Sequence, residues 1–421
     1  ADCMGCHKED YSGGVAVDAP MGTIYGTNIT PSVRYGIGKY TEQDFKNALT
    51  KGRAPNHMLY PAMPYPDYKG MTDEDISALF AYFQTVPAID EPPAYKTDLP
   101  FPFNIRALML GWNLINTPDW KAREGLDETQ KYGQYLVDNL AHCGTCHTPR
   151  NATMGYDMKN YLSGAMLGSW HAPNITPDDA SGIGSWSQEE IVTYLRNGGV
   201  HQKALAAGPM SEVVMNSTRY LNDKDLNAIA SYLKAVPAVT TADTVQPVNV
   251  AALPKKHSDD IAINLLDQMD VLKEAKANAS SPSESLYLAE CASCHGINGY
   301  GQPDAGYAPI VGLTSLRRDN PAPVINVVAN GIHQVMNTRP QMPGFKDDLT
   351  NEEMADIVNY VRTTFGGMPE SKVTADDVAK QIKAGPQAPF LVKNAGWLAA
   401  LGIIAGLIVL ALLIRWFIRR R

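Results

Sequence analysis

Cys143-Gly144-Thr145-Cys146-His147 decides how this chain folds, because the same frame appears twice more, as Cys3-Met4-Gly5-Cys6-His7 and Cys291-Ala292-Ser293-Cys294-His295. All six cysteines lie in these frames and none is left over. Two thiols one helical turn apart can each add to a vinyl group of a porphyrin. The histidine that follows turns its imidazole under the ring, and CxxCH is the attachment pattern of haem c. A zinc ribbon needs two CxxC pairs about 15 to 20 residues apart, whereas these frames recur after 140 and 148 residues. A dithiol redox pair gives no reason for a histidine in the fifth place three times over, and a disulfide across so short a loop is strained. The sequence therefore predicts three covalently bound haems c, tethered through Cys3 and Cys6, Cys143 and Cys146, and Cys291 and Cys294. His7, His147 and His295 are the first axial ligands.

More than the cysteines repeats. Unit one reads Gly26-Thr-Asn-Ile-Thr-Pro31 and then Gly36-Ile-Gly38; unit two reads Ala172-Pro-Asn-Ile-Thr-Pro177 and then Gly182-Ile-Gly184. Unit three has Ala308-Pro-Ile-Val-Gly-Leu313 instead. Each unit closes with a helical pattern, over 76–86, 226–236 and 354–365, behind a polar start at Thr72, Asn222 and Thr350. Thr72-Asp-Glu-Asp75 and Thr350-Asn-Glu-Glu353 read as capping boxes, and Tyr82, Tyr232 and Tyr360 hold matching places. Helical periodicity over 129–140 and 286–290 supplies an opening helix to units two and three. Only Ala1 and Asp2 precede the first cassette, so its opening helix is expected in a longer mature chain, behind a secretion signal. At about 150 residues per domain, 421 residues fit three. The expected fold is mainly α: three tandem class I-like cytochrome c domains (1–90, 128–238, 283–368), connectors over 91–127 and 239–282, a juxtamembrane linker over 369–394 and a transmembrane helix over 395–418.

A second axial ligand is expected from the loop before each closing helix. Met63 in Tyr60-Pro-Ala-Met-Pro64, Met210 in Gly208-Pro-Met210 and Met342 in Arg339-Pro-Gln-Met-Pro343 recur there, each beside a proline that stiffens the chain. Met58, His57, Met215, Met336, His201 and His333 are the rivals for these places; His142, His171 and His257 read as surface or hydrogen-bonded histidines. Histidine with methionine raises a haem's potential, and a filled sixth site denies the iron to oxygen or peroxide. That favours electron transfer over small-molecule catalysis.

Residues 397–414 carry no charge and as a helix span about 27 Å, close to a hydrocarbon core of about 30 Å. Arg419, Arg420 and Arg421 then stay on the cytoplasmic side, leaving the haem units in the periplasm of a Gram-negative inner membrane, where haem c is attached. The formal charge of −8, with 36 Lys plus Arg against 44 Asp plus Glu, offers no basic excess to a nucleic acid. The first connector, with its run Ala107-Leu-Met-Leu-Gly-Trp-Asn-Leu-Ile115, is more apolar than a loop requires and reads equally as packing between units or as a docking surface.

Three CxxCH cassettes, the paired Asn-Ile-Thr-Pro segments, Leu59-Tyr-Pro-Ala-Met-Pro-Tyr65, Cys143-Gly-Thr-Cys-His-Thr-Pro-Arg150 and the apolar tail together resemble the triple-haem cytochrome c subunit of membrane-bound dehydrogenases of acetic acid bacteria and relatives. The resemblance implies a complex in which a catalytic subunit oxidises an alcohol, aldehyde or sugar at a flavin, molybdopterin or other cofactor. A small third subunit belongs to it, and ubiquinone accepts the electrons; no substrate-oxidising site is expected on this chain. Partnership with a molybdenum hydroxylase, a tethered carrier feeding a terminal oxidase, and a haem enzyme with an open iron are the alternatives.

Overall fold

The computed structural model describes residues 3–247, 253–255, 265–302, 305–332 and 340–420; His257, His333 and Met336 lie outside them. The fold is mainly helical. Each cassette forms a single helical turn, Met4–His7, Gly144–His147 and Ala292–His295. The N–H groups of His7, His147 and His295 donate to the carbonyls of Cys3, Cys143 and Cys291 at 2.9, 2.9 and 3.0 Å. Residues i, i+3 and i+4 share a face, so both thiols and the imidazole of a cassette look the same way.

The closing helices run Asp73–Thr85, Asp223–Ala235 and Asn351–Thr364, and the side chains of Thr72, Asn222 and Thr350 cap them. The box at Thr350 closes, because Glu353 reaches back to the cap N–H at 2.8 Å. The box expected at Thr72 does not. Asp75 turns its carboxylate to the hydroxyls of Thr72 and Tyr135, and the N–H of Thr72 donates to Tyr135 at 3.3 Å. A tyrosine from unit two has displaced the local partner.

Opening helices cross the closing ones in units two and three. Glu128–Tyr135 continues through a π-turn, Leu136–Leu140, into the second cassette. It lies close on its partner because Gly133 has no Cβ, which would meet the Ala228 carbonyl oxygen at 2.0 Å. In unit three, Pro282–Glu290 places the Tyr287 ring 5.2 Å from Tyr360 and 4.9 Å from Phe365. Tyr232 is likewise fully buried, but Tyr82 is 49% exposed and Phe83, at 3%, fills the core instead. No opening helix among the described residues of unit one covers Tyr82, whose hydroxyl meets that of Tyr11 at 3.1 Å. Each unit has its own apolar core.

Among the described residues, four short antiparallel hairpins, which periodicity does not announce, repeat at matching places: Ala16–Ala19 with Gly22–Tyr25 and Arg53–Ala54 with His57–Met58 in unit one, Ala165–Leu167 with Trp170–Ala172 and Gly199–Val200 with Ala204–Leu205 in unit two. The stretch expected as a linker holds a helix, Ala375–Ile382, which buries Val378 in the core of unit three. The last helix, Ala395–Arg420, buries no residue in the chain and is about 39 Å long.

The units meet along polar seams. Between two and three, the buried Arg318 guanidinium donates to the Ser181 carbonyl at 3.2 Å and to Asp243 at 3.1 Å, and Asn326 donates to the Ser169 carbonyl at 2.6 Å. Between one and two, Asp67 lies buried against the second cassette, accepting from the hydroxyls of Tyr156 and, at 3.2 Å, Thr145. Burial pushes its carboxyl up to about 7, and those hydroxyls and nearby Arg150 offset only part of the shift.

The sign follows from proton linkage. Between the unfolded value of about 4 and the raised folded value, the folded protein holds a proton that the unfolded chain releases. Stability therefore declines as pH rises through that window and is lowest above it. The stability of the holoprotein to heat is expected to fall from pH 5 to pH 8, by up to about 3 kcal/mol at this seam, and Asp67→Asn is expected to flatten the profile. Parallel profiles for the two proteins would contradict the assignment.

Candidate haem-attachment sites

Each cassette histidine is held at two points. Its ring Nδ1–H donates to a backbone carbonyl: His7 to Thr27 at 2.5 Å, His147 to Pro173 at 2.7 Å and His295 to Ala308 at 2.9 Å. Its own carbonyl accepts from a glycine N–H, Gly13 at 3.0 Å, Gly164 at 2.8 Å and Gly301 at 2.7 Å. All three glycines have positive φ, +80°, +96° and +67°, the region where a Cβ is costly. With Nδ1 engaged, Nε2 keeps its lone pair, which is how a ligating imidazole is oriented. Burial lowers the pKa of all three rings, that of His147 to about 4, so each stays neutral.

The Asn-Ile-Thr-Pro repeats hold the carbonyl-bearing loop in place. Asn28 Oδ1 accepts from the N–H and hydroxyl of Thr30 at 2.8 and 2.7 Å, while its amide donates to the Ile89 carbonyl at 2.9 Å. Asn174 does the same with Thr176 at 2.8 and 2.8 Å and with Val239 at 2.7 Å. Ile89 and Val239 lie just beyond the closing helices, so one asparagine ties the loop under the histidine to the unit's far end. One rung is mirrored: Ser32 donates to Asp90 at 2.5 Å, whereas Thr240 donates to Asp178 at 2.6 Å. The glycines after the repeat are required by contact, since a Cβ on Gly36 or Gly182 would meet the Thr30 or Thr176 carbonyl at 2.1 Å.

Met63 sits in a tight turn, its N–H donating to the Tyr60 carbonyl at 3.1 Å and its own carbonyl accepting from Tyr65 at 2.8 Å. It packs on the core that also receives Cys3. Met210 is not in a loop: it is the second residue of the helix Pro209–Asn216, started by Pro209 behind Gly208. Met342 pairs with Ile332 through backbone bonds of 2.9 and 3.1 Å. Of the rivals, His57 and His201 are exposed, Met58 is buried, and the sulfur of Met215 faces the Arg219 guanidinium at 3.4 Å. His142 is half-buried, and its ring stands edge-on to Tyr68 at 5.5 Å. His171 faces Asp243 at 3.7 Å.

Burial pushes Cys143 up to about 12, Cys146 to about 11 and Cys291 to about 12, far from the depressed values of redox or metal-binding thiolates. Among the described residues no group of three or more His, Cys, Asp or Glu could hold a bare metal ion. Paired thiols on one face of a turn, beside an imidazole with Nε2 left over, fit a haem c. Cys6 is near enough to Cys146 to raise its pKa, so the first two cassettes are neighbours. The carbonyls of Thr27, Pro173 and Ala308 escape sequence reading because a backbone acceptor has no side-chain signature; the doubled Asn-Ile-Thr-Pro was the available signal for the first two. Asp67, Arg318 and Asp243 carried none.

The family described as Cytochrome c matches residues 1–87, 130–237 and 281–365. The chain is 40% identical to the fructose dehydrogenase cytochrome subunit of Gluconobacter japonicus, over 100% of this chain and 89% of that one. It is 35% identical to the cytochrome c subunit of the quinone alcohol dehydrogenase of Gluconacetobacter polyoxogenes, over 94% and 84%. To the gluconate 2-dehydrogenase cytochrome c subunit of Pantoea cypripedii it is 35% identical, over 91% and 87%. These relatives are cytochrome subunits of dehydrogenases, and the family implies covalent haem c. Cassette geometry and relatives agree, and the chain belongs to the cytochrome c family.

Proposed function

We propose that this chain is the electron-transfer subunit of a membrane-bound periplasmic dehydrogenase, carrying electrons from a separate catalytic subunit to ubiquinone by way of three haems c. The observation that carries this reading is the threefold repetition of one histidine geometry on a chain that ends in an apolar helix of 26 residues. Relatives named for fructose, alcohol and gluconate oxidation support a separate catalytic partner; that it acts on a sugar, alcohol or aldehyde and is joined by a small third subunit is part of this proposal.

Haem c supplies a reversible one-electron iron couple when bound. The chain's residues do the rest. Cys3 and Cys6, Cys143 and Cys146, and Cys291 and Cys294 would tether it in three tandem domains; His7, His147 and His295 would offer it neutral imidazoles. Met63, Met210 and Met342 would supply the second ligand, a thioether, and so keep water and peroxide from the iron. Ala395–Arg420 crosses the inner membrane with its arginines in the cytoplasm, and the haem units stand in the periplasm.

Removing this chain from the purified complex is expected to leave substrate oxidation with a soluble artificial acceptor intact and to abolish quinone reduction; the opposite pattern would reverse the roles. Met63→Ala, Met210→Ala and Met342→Ala are each expected to open about one third of the reduced haem to carbon monoxide, while the unaltered protein binds none. If Met210→Ala changes nothing and Met215→Ala opens one haem, the ligand in unit two is Met215.

A further inference from the structure

The first connector forms a helix, Leu108–Asn116, that is amphipathic the wrong way round for a water-facing surface. Its polar side chains point inward. Asn113 Oδ1 accepts from the Tyr65 hydroxyl at 2.6 Å, the Trp112 indole N–H donates to the Thr153 carbonyl at 2.7 Å, and Asn116 is buried. The outward face carries Leu110, Leu114 and Ile115, exposed by 62%, 89% and 72%. Gly111 lies between them, and a Cβ there would meet nothing within 4 Å. Spacings of three and four residues put these positions on one stripe, and residues 107–118 contain no charge.

The location of this stripe identifies what covers it. A Cβ on Gly396, in the first turn of the apolar C-terminal helix, would meet the carbonyl oxygen of Phe101 at 3.6 Å. The connector thus touches the root of the helix that enters the bilayer. Phe101 and Ile105 on the connector and Trp397 on the helix are also exposed, and tryptophan is characteristic of the headgroup level. A helix with an uncharged apolar outer face, joined to a membrane anchor where it emerges, has the arrangement of an interfacial helix.

We propose that Leu110, Leu114 and Ile115 insert into the headgroup–acyl boundary of the lipid bilayer, making the connector a second membrane contact beside the C-terminal helix. This rests on the reading of that helix as a membrane anchor. One consequence concerns unit one. The Tyr60 hydroxyl donates to the Phe103 carbonyl at 2.8 Å, and Arg106 donates to the Met58 carbonyl at 2.9 Å. The turn that carries Met63 is therefore braced against the lipid-facing connector, and unit one is held at the membrane.

The test uses the full-length holoprotein in phosphatidylcholine–phosphatidylglycerol vesicles, with Leu114→Cys carrying an environment-sensitive fluorophore and Leu110→Cys as a second site. The cassette thiols are consumed by haem, so the new thiol is the one labelled. The expected result is a blue-shifted emission that loses most of its intensity to a nitroxide just below the lipid headgroups, loses little to one at the chain end, and resists aqueous iodide. Vesicle-bound protein whose label is quenched by iodide and not by lipid nitroxide overturns the proposal and spares the anchor. A label shielded from both quenchers in the assembled complex overturns it in favour of a protein subunit. Protein that fails to float with vesicles overturns both the proposal and the anchor.

Discussion

A hydrogen bond from an imidazole Nδ1–H to a peptide carbonyl governs each unit. It pins the proton to one ring nitrogen, aims the other, and so settles what a cassette histidine can do before any ligand arrives. The carbonyl must be supplied by an irregular loop, and loops are costly to hold in one shape. Here that cost is offset by buried side-chain bonds: Asn28 with Thr30 and Asn174 with Thr176 fold the loop on itself and tie it to the exit of the closing helix. Each such bond stabilises by about 1 kcal/mol, and loss of a buried partner costs more. Cassette, loop and closing helix thus form a closed circuit, so a change at Ile89 or Val239 is felt at the histidine.

The same economy shapes the seams. The units have separate cores, and buried polar groups join them alongside apolar contacts such as Leu140 on the core of unit one and Leu205 on that of unit three. Tyr135 caps the closing helix of the preceding unit, and Arg318 spans from unit three to Ser181 and Asp243. Buried ion pairs contribute little net stability but are severely penalised when mispaired, and so they select one arrangement of units over others. For a relay that is the useful property, because transfer between cofactors depends on their spacing. Cassettes one and two are neighbours at Cys6 and Cys146, with Asp67 between the Met63 turn and the second cassette.

What could be read from the chain was what is encoded locally. Cysteine spacing, the apolar periodicity of the closing helices and the box at Thr350 are short-range signals, and the helices lie where those signals put them. The box at Thr72 failed because its competitor, Tyr135, comes from 60 residues away. Tyr82 matched Tyr232 in register but not in burial, since register says nothing of the neighbouring helix. The four hairpins are too short for an alternating pattern, and the helix Ala375–Ile382 was hidden in a stretch taken as linker although Thr374 and Asp377 form a capping box there. In the sites, the side chains were legible and the backbone was not: His147 could be named from its motif, whereas the carbonyl of Pro173, 26 residues on, could not.

The central claim, that the chain grips three haems each between a histidine and a methionine, is tested most directly by quantifying covalent haem per polypeptide together with near-infrared magnetic circular dichroism of the oxidised full-length protein. The account predicts three haems, all low-spin, with the charge-transfer signature of thioether coordination at each. Fewer than three covalent haems, or a spectrum of nitrogen-only or high-spin iron, would contradict it.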